Sequence, residues 1–131
     1  MSQLFQLDII APDRILRSER VEMAVIPGAE GDFGVLPGHA PLISALRPGL
    51  LNIHSGSEIK EQFFVTGGFA EVSNNGCIIL ADRATPLSEI KRNEVVSRIE
   101  NIKSELQSST SNNKELLREL NICEAMLAVA A

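Results

Sequence analysis

The sequence has no tryptophan, no tyrosine and only five phenylalanines. So few aromatic rings leave little for nucleic-acid bases to stack on. Basic residues are also in the minority, with 12 Lys and Arg against 17 Asp and Glu, which gives a formal charge of −5. The basic residues are scattered rather than clustered. This composition argues against a nucleic acid or an anionic membrane surface as the main partner.

Cysteine and long apolar runs are scarce as well. Cys77 and Cys123 are the only cysteines, and they lie far apart without a CxxC spacing. We therefore expect two free thiols that pack rather than a disulfide. The longest stretch without a charged residue, 33–46, is interrupted by Pro37, Gly38 and Pro41. It is too short and too broken to span a bilayer.

The usual signatures of catalysis and nucleotide binding are missing. The glycine-rich stretch 28–34 lacks the Gly-Lys-Ser/Thr ending of a phosphate loop, and its Glu30 and Asp32 would repel phosphate. No Gly-x-Ser-x-Gly or His-Glu-x-x-His motif is present, and His39 and His54 have no third ligand at metal spacing. The sequence therefore predicts no catalytic residue, no cofactor and no metal site.

Glycine, proline and phenylalanine divide the chain in two. All nine glycines, six prolines and five phenylalanines fall at or before Pro86, and residues 87–131 contain none. Glycine and proline are the residues that cost most inside a helix. The division predicts a β domain over 1–86 and a helical domain over 87–131.

The first part carries strand patterns separated by turn signals. Alternation with period 2 appears at 5–9 and 21–25, and further β-rich runs lie at 50–54, 62–66, 70–73 and 77–80. Asn74-Asn75-Gly76 is typical of a hairpin turn between the last two runs. Other turn signals stand at 11–13, 26–28, 48–49 and 67–68. The pattern predicts an all-β sandwich or barrel.

The second part has helical periodicity. Each of two segments carries an apolar stripe at spacings of 4, 3 and 4, listed as Val95, Ile99, Ile102 and Leu106, then Leu116, Leu120, Cys123 and Leu127. Residues 107–113 are typical of a loop, Asn112 with Glu115 resembles a capping box, and Ser88 is the predicted N-cap of the first helix. We expect an antiparallel helical hairpin. A second apolar line on the last helix, Ile122, Met126 and Val129, needs cover from the β part or a partner.

The motifs of the first part follow an order that resembles the epsilon subunit family of bacterial F-type ATP synthases. The matching stretches are Glu-Gly-Asp-Phe-Gly-Val-Leu-Pro-Gly-His-Ala-Pro-Leu at 30–42, Arg-Pro-Gly at 47–49, Gly-Gly-Phe-Ala-Glu-Val at 67–72 and Ile-Leu-Ala-Asp-Arg-Ala at 79–84. The tail resembles the family only in its length and hairpin character.

The resemblance implies a fold and a role. The β part should be a flattened sandwich of about ten strands, and the protein a noncatalytic rotor subunit of the central stalk. It implies binding to the gamma subunit and to the c-ring, so that proton flow drives ATP synthesis at the alpha and beta subunits. The location implied is peripheral, on the cytoplasmic face of the bacterial inner membrane. Glu30, Asp32 and His39 match the family's loop that meets the polar loops of the c-ring.

The resemblance also implies a regulatory role for the tail. In the family the hairpin opens, extends along gamma towards the alpha and beta subunits and inhibits ATP hydrolysis. Some members bind ATP through an Ile/Leu-Asp-x-x-Arg-Ala sequence, where this chain has Leu-Ser-Glu-Ile-Lys-Arg at 87–92. Ser88 supplies no acid, and Lys91 lacks the bidentate fork of arginine. We expect at most weak ATP binding and mild inhibition.

Two other classes of function remain open at this point. One is an enzyme built on a small β-barrel, with His39, His54 and a carboxylate as metal ligands. The other is a free-standing adaptor whose helical hairpin grips a partner helix. Bound metal would support the first, and co-purification with a protein unrelated to gamma or the c-ring would support the second.

Overall fold

The computed structural model describes residues 3–108 and 113–130. The chain divides into two compact units, Met1–Pro86 and Leu87–Ala131. Each unit has its own cluster of buried apolar side chains.

Ten strands make up the first unit, which confirms the predicted all-β fold. They are β1 (Phe5–Ala11), β2 (Arg14–Val21), β3 (Met23–Gly28), β4 (Gly31–Val35), β5 (Leu42–Leu46), β6 (Gly49–Ser55), β7 (Glu58–Val65), β8 (Gly68–Ser73), β9 (Gly76–Ala81) and β10 (Ala84–Pro86). Their order is β10-β7-β6-β3-β5-β8-β9-β1-β2, with β4 paired to β3. All pairs are antiparallel except β1 with β9. Side chains from both ends of this order, such as Phe63 of β7 and Leu7 of β1, share one core.

Strand β3 connects the two halves of the sandwich. Its first residues, Met23 to Val25, pair with β6, whereas Gly28 pairs with Leu46 of β5. Pro27 lies between these two pairings and has no N–H to continue a ladder with β6. The predicted turn at 26–28 is therefore wrong, because Pro27 and Gly28 belong to β3 and the turn lies at residues 29–30.

The predicted strand at 21–25 is also wrong, because these residues belong to two strands, β2 and β3, and not to one. Val21 pairs with Phe5 of β1, and after a break at Glu22 the next residue, Met23, pairs with His54 of β6. The alternation continues through the break while the hydrogen-bonding neighbours change. The other five runs lie in strands, apart from Thr66, which follows the end of β7, and the Asn74-Asn75 turn joins β8 to β9 as predicted.

Strand β2 carries charges on its inward face. Arg17 and Glu19 stand opposite the buried Ile9 and Leu7 of β1. Arg17 Nε donates to Glu61 Oε2 of β7 at 3.0 Å, and its guanidinium lies 5.2 Å from the centre of the Phe63 ring. Inward charges of this kind keep an edge strand from pairing with another chain. Because these charges stand at inward positions, β2 lacks the alternation of apolar residues that predicts a strand from sequence.

The second unit contains a 3-10 turn, Leu87–Glu89, and two helices, α1 (Arg92–Ser108) and α2 (Lys114–Val129). The predicted N-cap Ser88 is wrong, because Ser88 lies in the turn and the Lys91 carbonyl accepts the first helical hydrogen bonds of α1. The predicted cap Asn112 lies outside the described residues. Asn113 caps α2, and its side chain accepts from the Leu116 N–H at 3.1 Å.

The two predicted apolar stripes form the core of this hairpin. Buried Val95, Ile99 and Ile102 of α1 share a cluster with Cys123 of α2, and the remaining residues of both stripes pack against them. An ion pair of 2.6 Å between Arg98 and Glu119 also joins the helices.

Among the described residues, neither helix is long and apolar enough to cross a lipid bilayer.

We expect the β unit to fold without the helices, because its core is supplied by its own strands. A fragment ending at Pro86 retains the whole of β10, which pairs with Val65, Phe64 and Phe63 of β7. This fragment should unfold in one cooperative thermal transition. A broad, non-cooperative melt, measured by circular dichroism beside the full chain, would contradict this independence.

Candidate functional site

The acidic loop is a tight hairpin between β3 and β4. Gly28 pairs with Gly31 across it, and residues 29–30 form the turn, with the Glu30 side chain exposed. A side chain at Gly28 would place its Cβ 2.8 Å from the Gly31 carbonyl oxygen, and Gly31 itself has a φ of +137°. Glycine at these two positions therefore sets the shape of the loop.

Arg47 holds this hairpin from the neighbouring strand end. Its Nη2 forms an ion pair with Asp32 Oδ1, and its Nη1 donates to the Gly28 carbonyl at 2.6 Å. Its backbone N–H donates to the Pro27 carbonyl at 3.0 Å. Within the described ranges Glu30 has no ion-pair partner. Of the two acids, Asp32 is thus neutralised by its own chain and Glu30 is free to meet another molecule.

His39 lies at the other end of β4. It belongs to the loop between β4 and β5. Its backbone N–H donates to the Leu36 carbonyl at 3.1 Å, and its ring Nδ1 lies 2.7 Å from the Ala40 carbonyl oxygen. Strand β4, which is about 13 Å long at the usual rise per residue, lies between His39 and the hairpin. The structure thus brings Glu30 and Asp32 together and does not bring His39 to them.

A groove of about 490 Å³ runs between β4 and β5. It is lined by residues 29–33 and 42–45, which include the two acids and the apolar side chains of Phe33, Leu42 and Ile43. Ile43 is 72% exposed. The hairpin therefore presents a free carboxylate beside an apolar surface.

A second feature is a row of apolar side chains across five strands, of which four are exposed and Ile10 is half-buried. In the register of the sheet, Ala45 stands beside Phe69, Phe69 beside Leu80, Leu80 beside Ile10 and Ile10 beside Ile15. Phe69 is 57% exposed, Leu80 48% and Ile15 65%. We call these five residues the apolar row. Contiguous exposed apolar side chains of this kind mark interaction sites.

Polar side chains flank the apolar row. Asp8, two residues before Ile10 on the same face of β1, accepts hydrogen bonds from Ser18 Oγ at 2.6 Å and from Gln6 Nε2 at 3.1 Å. An apolar centre with a polar border is the usual composition of a protein interface. The continuous apolar run at 77–81, in which both faces of β9 are apolar, is the sequence signal for this row.

Metal-binding side chains do not cluster in the described part of the chain. No three His, Cys, Asp or Glu side chains there are placed to hold a metal ion, and His39 and His54 belong to different elements. The metal-enzyme alternative therefore lacks a ligand cluster.

Burial, reinforced by the nearby Asp8, raises the pKa of the Cys77 thiol to about 12. Cys77 stays protonated at neutral pH and is a poor nucleophile.

Comparison with known sequences identifies relatives along the whole chain. Residues 4–87 match the family described as the ATP synthase delta/epsilon chain β-sandwich domain. The ATP synthase epsilon chain of Rhodospirillum rubrum is 39% identical over 130 residues, which cover 98% of this chain and 97% of the relative. That of Paramagnetospirillum magneticum is 38% identical over 133 residues, covering 100% of both.

Solved structures show the same fold within ATP synthases. A chain from the Euglena gracilis mitochondrial OSCP/F1/c-ring assembly aligns with a TM-score of 0.77 at 28% identity, over 95% of this chain and 80% of that one. A chain of the Tetrahymena thermophila central stalk and c-ring has a TM-score of 0.60 at 16% identity, over 98% and 94% of the two chains, and supports the fold alone. With the full-length sequence matches, these findings show that the chain belongs to the epsilon-chain family of ATP synthases.

Proposed function

We propose that the chain is a noncatalytic central-stalk subunit that links gamma to the c-ring and turns with both. Proton flow then drives ATP synthesis at the alpha and beta subunits. The observation that carries this proposal is a packed sandwich with two docking features, the apolar row and the β3–β4 hairpin that carries Glu30, which we call the Glu30 hairpin. A rotor part must transmit torque without slipping, and a close-packed β core supplies the necessary stiffness.

The apolar row is the proposed surface for gamma. Its side chains come from five strands of one sheet, so they are held in fixed relative positions by the backbone ladder. A rigid apolar surface binds with little loss of conformational entropy. Its polar border around Asp8 limits the contact to a partner with a matching apolar strip.

The Glu30 hairpin is the proposed contact with the c-ring. The free carboxylate of Glu30 would attract basic side chains in the polar loops of the ring, and Asp32 would contribute through the shape of the hairpin. His39 is proposed as a second contact, because a ring of repeated loops is wide enough to meet both ends of β4. Exposed charges at an interface mainly steer docking and fix its register.

This arrangement would hold the protein at the membrane without inserting it. Binding to the c-ring would hold it peripherally on the cytoplasmic face of the bacterial inner membrane, and gamma would connect it to the alpha and beta subunits. A helical hairpin in contact with those subunits would be the means of any regulation.

Glu30→Lys tests the c-ring contact. We expect it to weaken coupling between proton flow and ATP synthesis. The loss in binding free energy to the c-ring should be about 1–2 kcal/mol at most, because exposed charges contribute modestly. The effect should fade as salt concentration rises. Glu58→Lys, which reverses an exposed acid at the start of β7, is the matched control and should couple normally. Normal coupling by Glu30→Lys across all salt concentrations would show that the contact is wrongly assigned.

The helical unit is expected to bind ATP only at millimolar concentration or more weakly. Ser88 and Lys91 are both exposed. Ser88 lies within the 3-10 turn and Lys91 after it, so the two side chains are not held on one helix face where they could bind a phosphate group together. Calorimetry of the full chain with ATP measures this directly, and micromolar binding would contradict it. ATP hydrolysis by the whole complex should likewise change little when residues 87–131 are removed.

A further inference from the structure

We propose that Arg47 is a positioning residue for the c-ring contact, acting through the β3–β4 hairpin rather than touching the ring itself. This inference rests on the proposed contact at Glu30. Arg47 joins two points of the hairpin, the Gly28 carbonyl at its base and the Asp32 carboxylate on its outgoing strand. The turn that carries Glu30 lies between these points.

The backbone around Arg47 strengthens this clamp. Its own N–H donates to the Pro27 carbonyl, and the Ala29 N–H donates to the Ala45 carbonyl at 2.8 Å. These bonds fix the incoming side of the hairpin to β5. The outgoing side, β4, pairs only with β3 among the described strands. The Asp32 ion pair is therefore the contact through which Arg47 restrains the outgoing side.

The charges of the site make the proposal testable by the sign of an effect. Glu30, Asp32 and Arg47 together carry a net charge of −1. Arg47→Gln makes this −2, so attraction to basic loops alone would tighten binding to the c-ring. A loss of positioning instead weakens binding, because Glu30 no longer has a fixed place.

The experiment uses the full chain bound to gamma and titrated against detergent-solubilised c-ring at low and high salt. We expect Arg47→Gln to bind the ring about fivefold more weakly at low salt, the size of one typical hydrogen bond. The loss should shrink at high salt, because the Glu30 contact that Arg47 positions is itself weaker there. Arg47→Lys, which keeps the charge but not the two-point fork, should recover part of the loss. Affinity for gamma and the thermal midpoint should stay close to those of the parent chain, which a general loss of folding would change.

Two outcomes separate this inference from the proposed function. If Glu30→Gln leaves c-ring affinity unchanged, the contact itself is wrongly assigned and the role of Arg47 falls with it. If Glu30→Gln weakens binding while Arg47→Gln binds as tightly as the parent or more tightly, the contact stands and the positioning role of Arg47 is overturned. Weaker ring binding by both variants, with gamma affinity intact, supports the proposal.

Discussion

Phe69→Asp is expected to lower the affinity of the chain for gamma about 100-fold while leaving the sandwich folded. Phe69 is the largest side chain of the apolar row, has row neighbours on both sides in Ala45 and Leu80, and is 57% exposed. Aromatic side chains at the centre of an interface commonly account for 2 kcal/mol or more of binding energy, and a buried carboxylate adds a desolvation cost. Titration of gamma with the purified variant measures the loss.

Ile59→Asp is the matched control for that prediction. Ile59 is 49% exposed and lies on β7, at a distance from the apolar row in the strand order. It introduces the same charge into a strand, so any general effect of aspartate on folding or charge should appear in both variants. Equal affinity of Phe69→Asp and Ile59→Asp for gamma would show that the apolar row is not the docking surface.

Phe63→Ala is expected to destabilise the β unit by about 3–5 kcal/mol, a large share of the total stability of a small domain. The Phe63 ring is 2% exposed, packs in the core and supports the guanidinium of Arg17. Its removal leaves a cavity and takes away the surface on which that charged side chain rests. Urea unfolding of the full chain, followed as the loss of β-sheet signal, measures the change.

Phe69→Ala provides the comparison at constant chemistry. The same truncation at an exposed position removes little buried surface, so it should cost less than about 1 kcal/mol. Phe63 would then contribute mainly to folding, and Phe69 mainly to binding gamma. Similar losses of stability in the two variants would contradict the assignment of Phe63 to the core and Phe69 to the surface.

The sequence predicted best what depends on local chemistry. The restriction of glycine, proline and phenylalanine to the first part indicated the change from strands to helices. The spacing of Val95, Ile99 and Ile102 predicted the buried face of α1, because a helix repeats at a fixed period whatever it packs against. The same reasoning placed the turn at 74–75, where two asparagines precede a glycine.

The features that it missed depend on distant neighbours. Strand β2 was hidden because its inward Arg17 and Glu19 are matched by charges on β7, far along the chain. Arg47 matched the family only as part of Arg-Pro-Gly, and its role requires the hairpin at residues 28–32 to fold beside it. The apolar row is likewise a product of register, since its members come from five different strands.

The most direct test of the central claim is to add the full chain back to a bacterial ATP synthase from which the epsilon subunit has been removed. The proposed function predicts that the chain binds gamma and the c-ring together and restores proton-driven ATP synthesis. It also predicts that the chain alone hydrolyses no ATP. Failure to bind the depleted complex, or binding without recovery of proton-driven synthesis, would contradict the account.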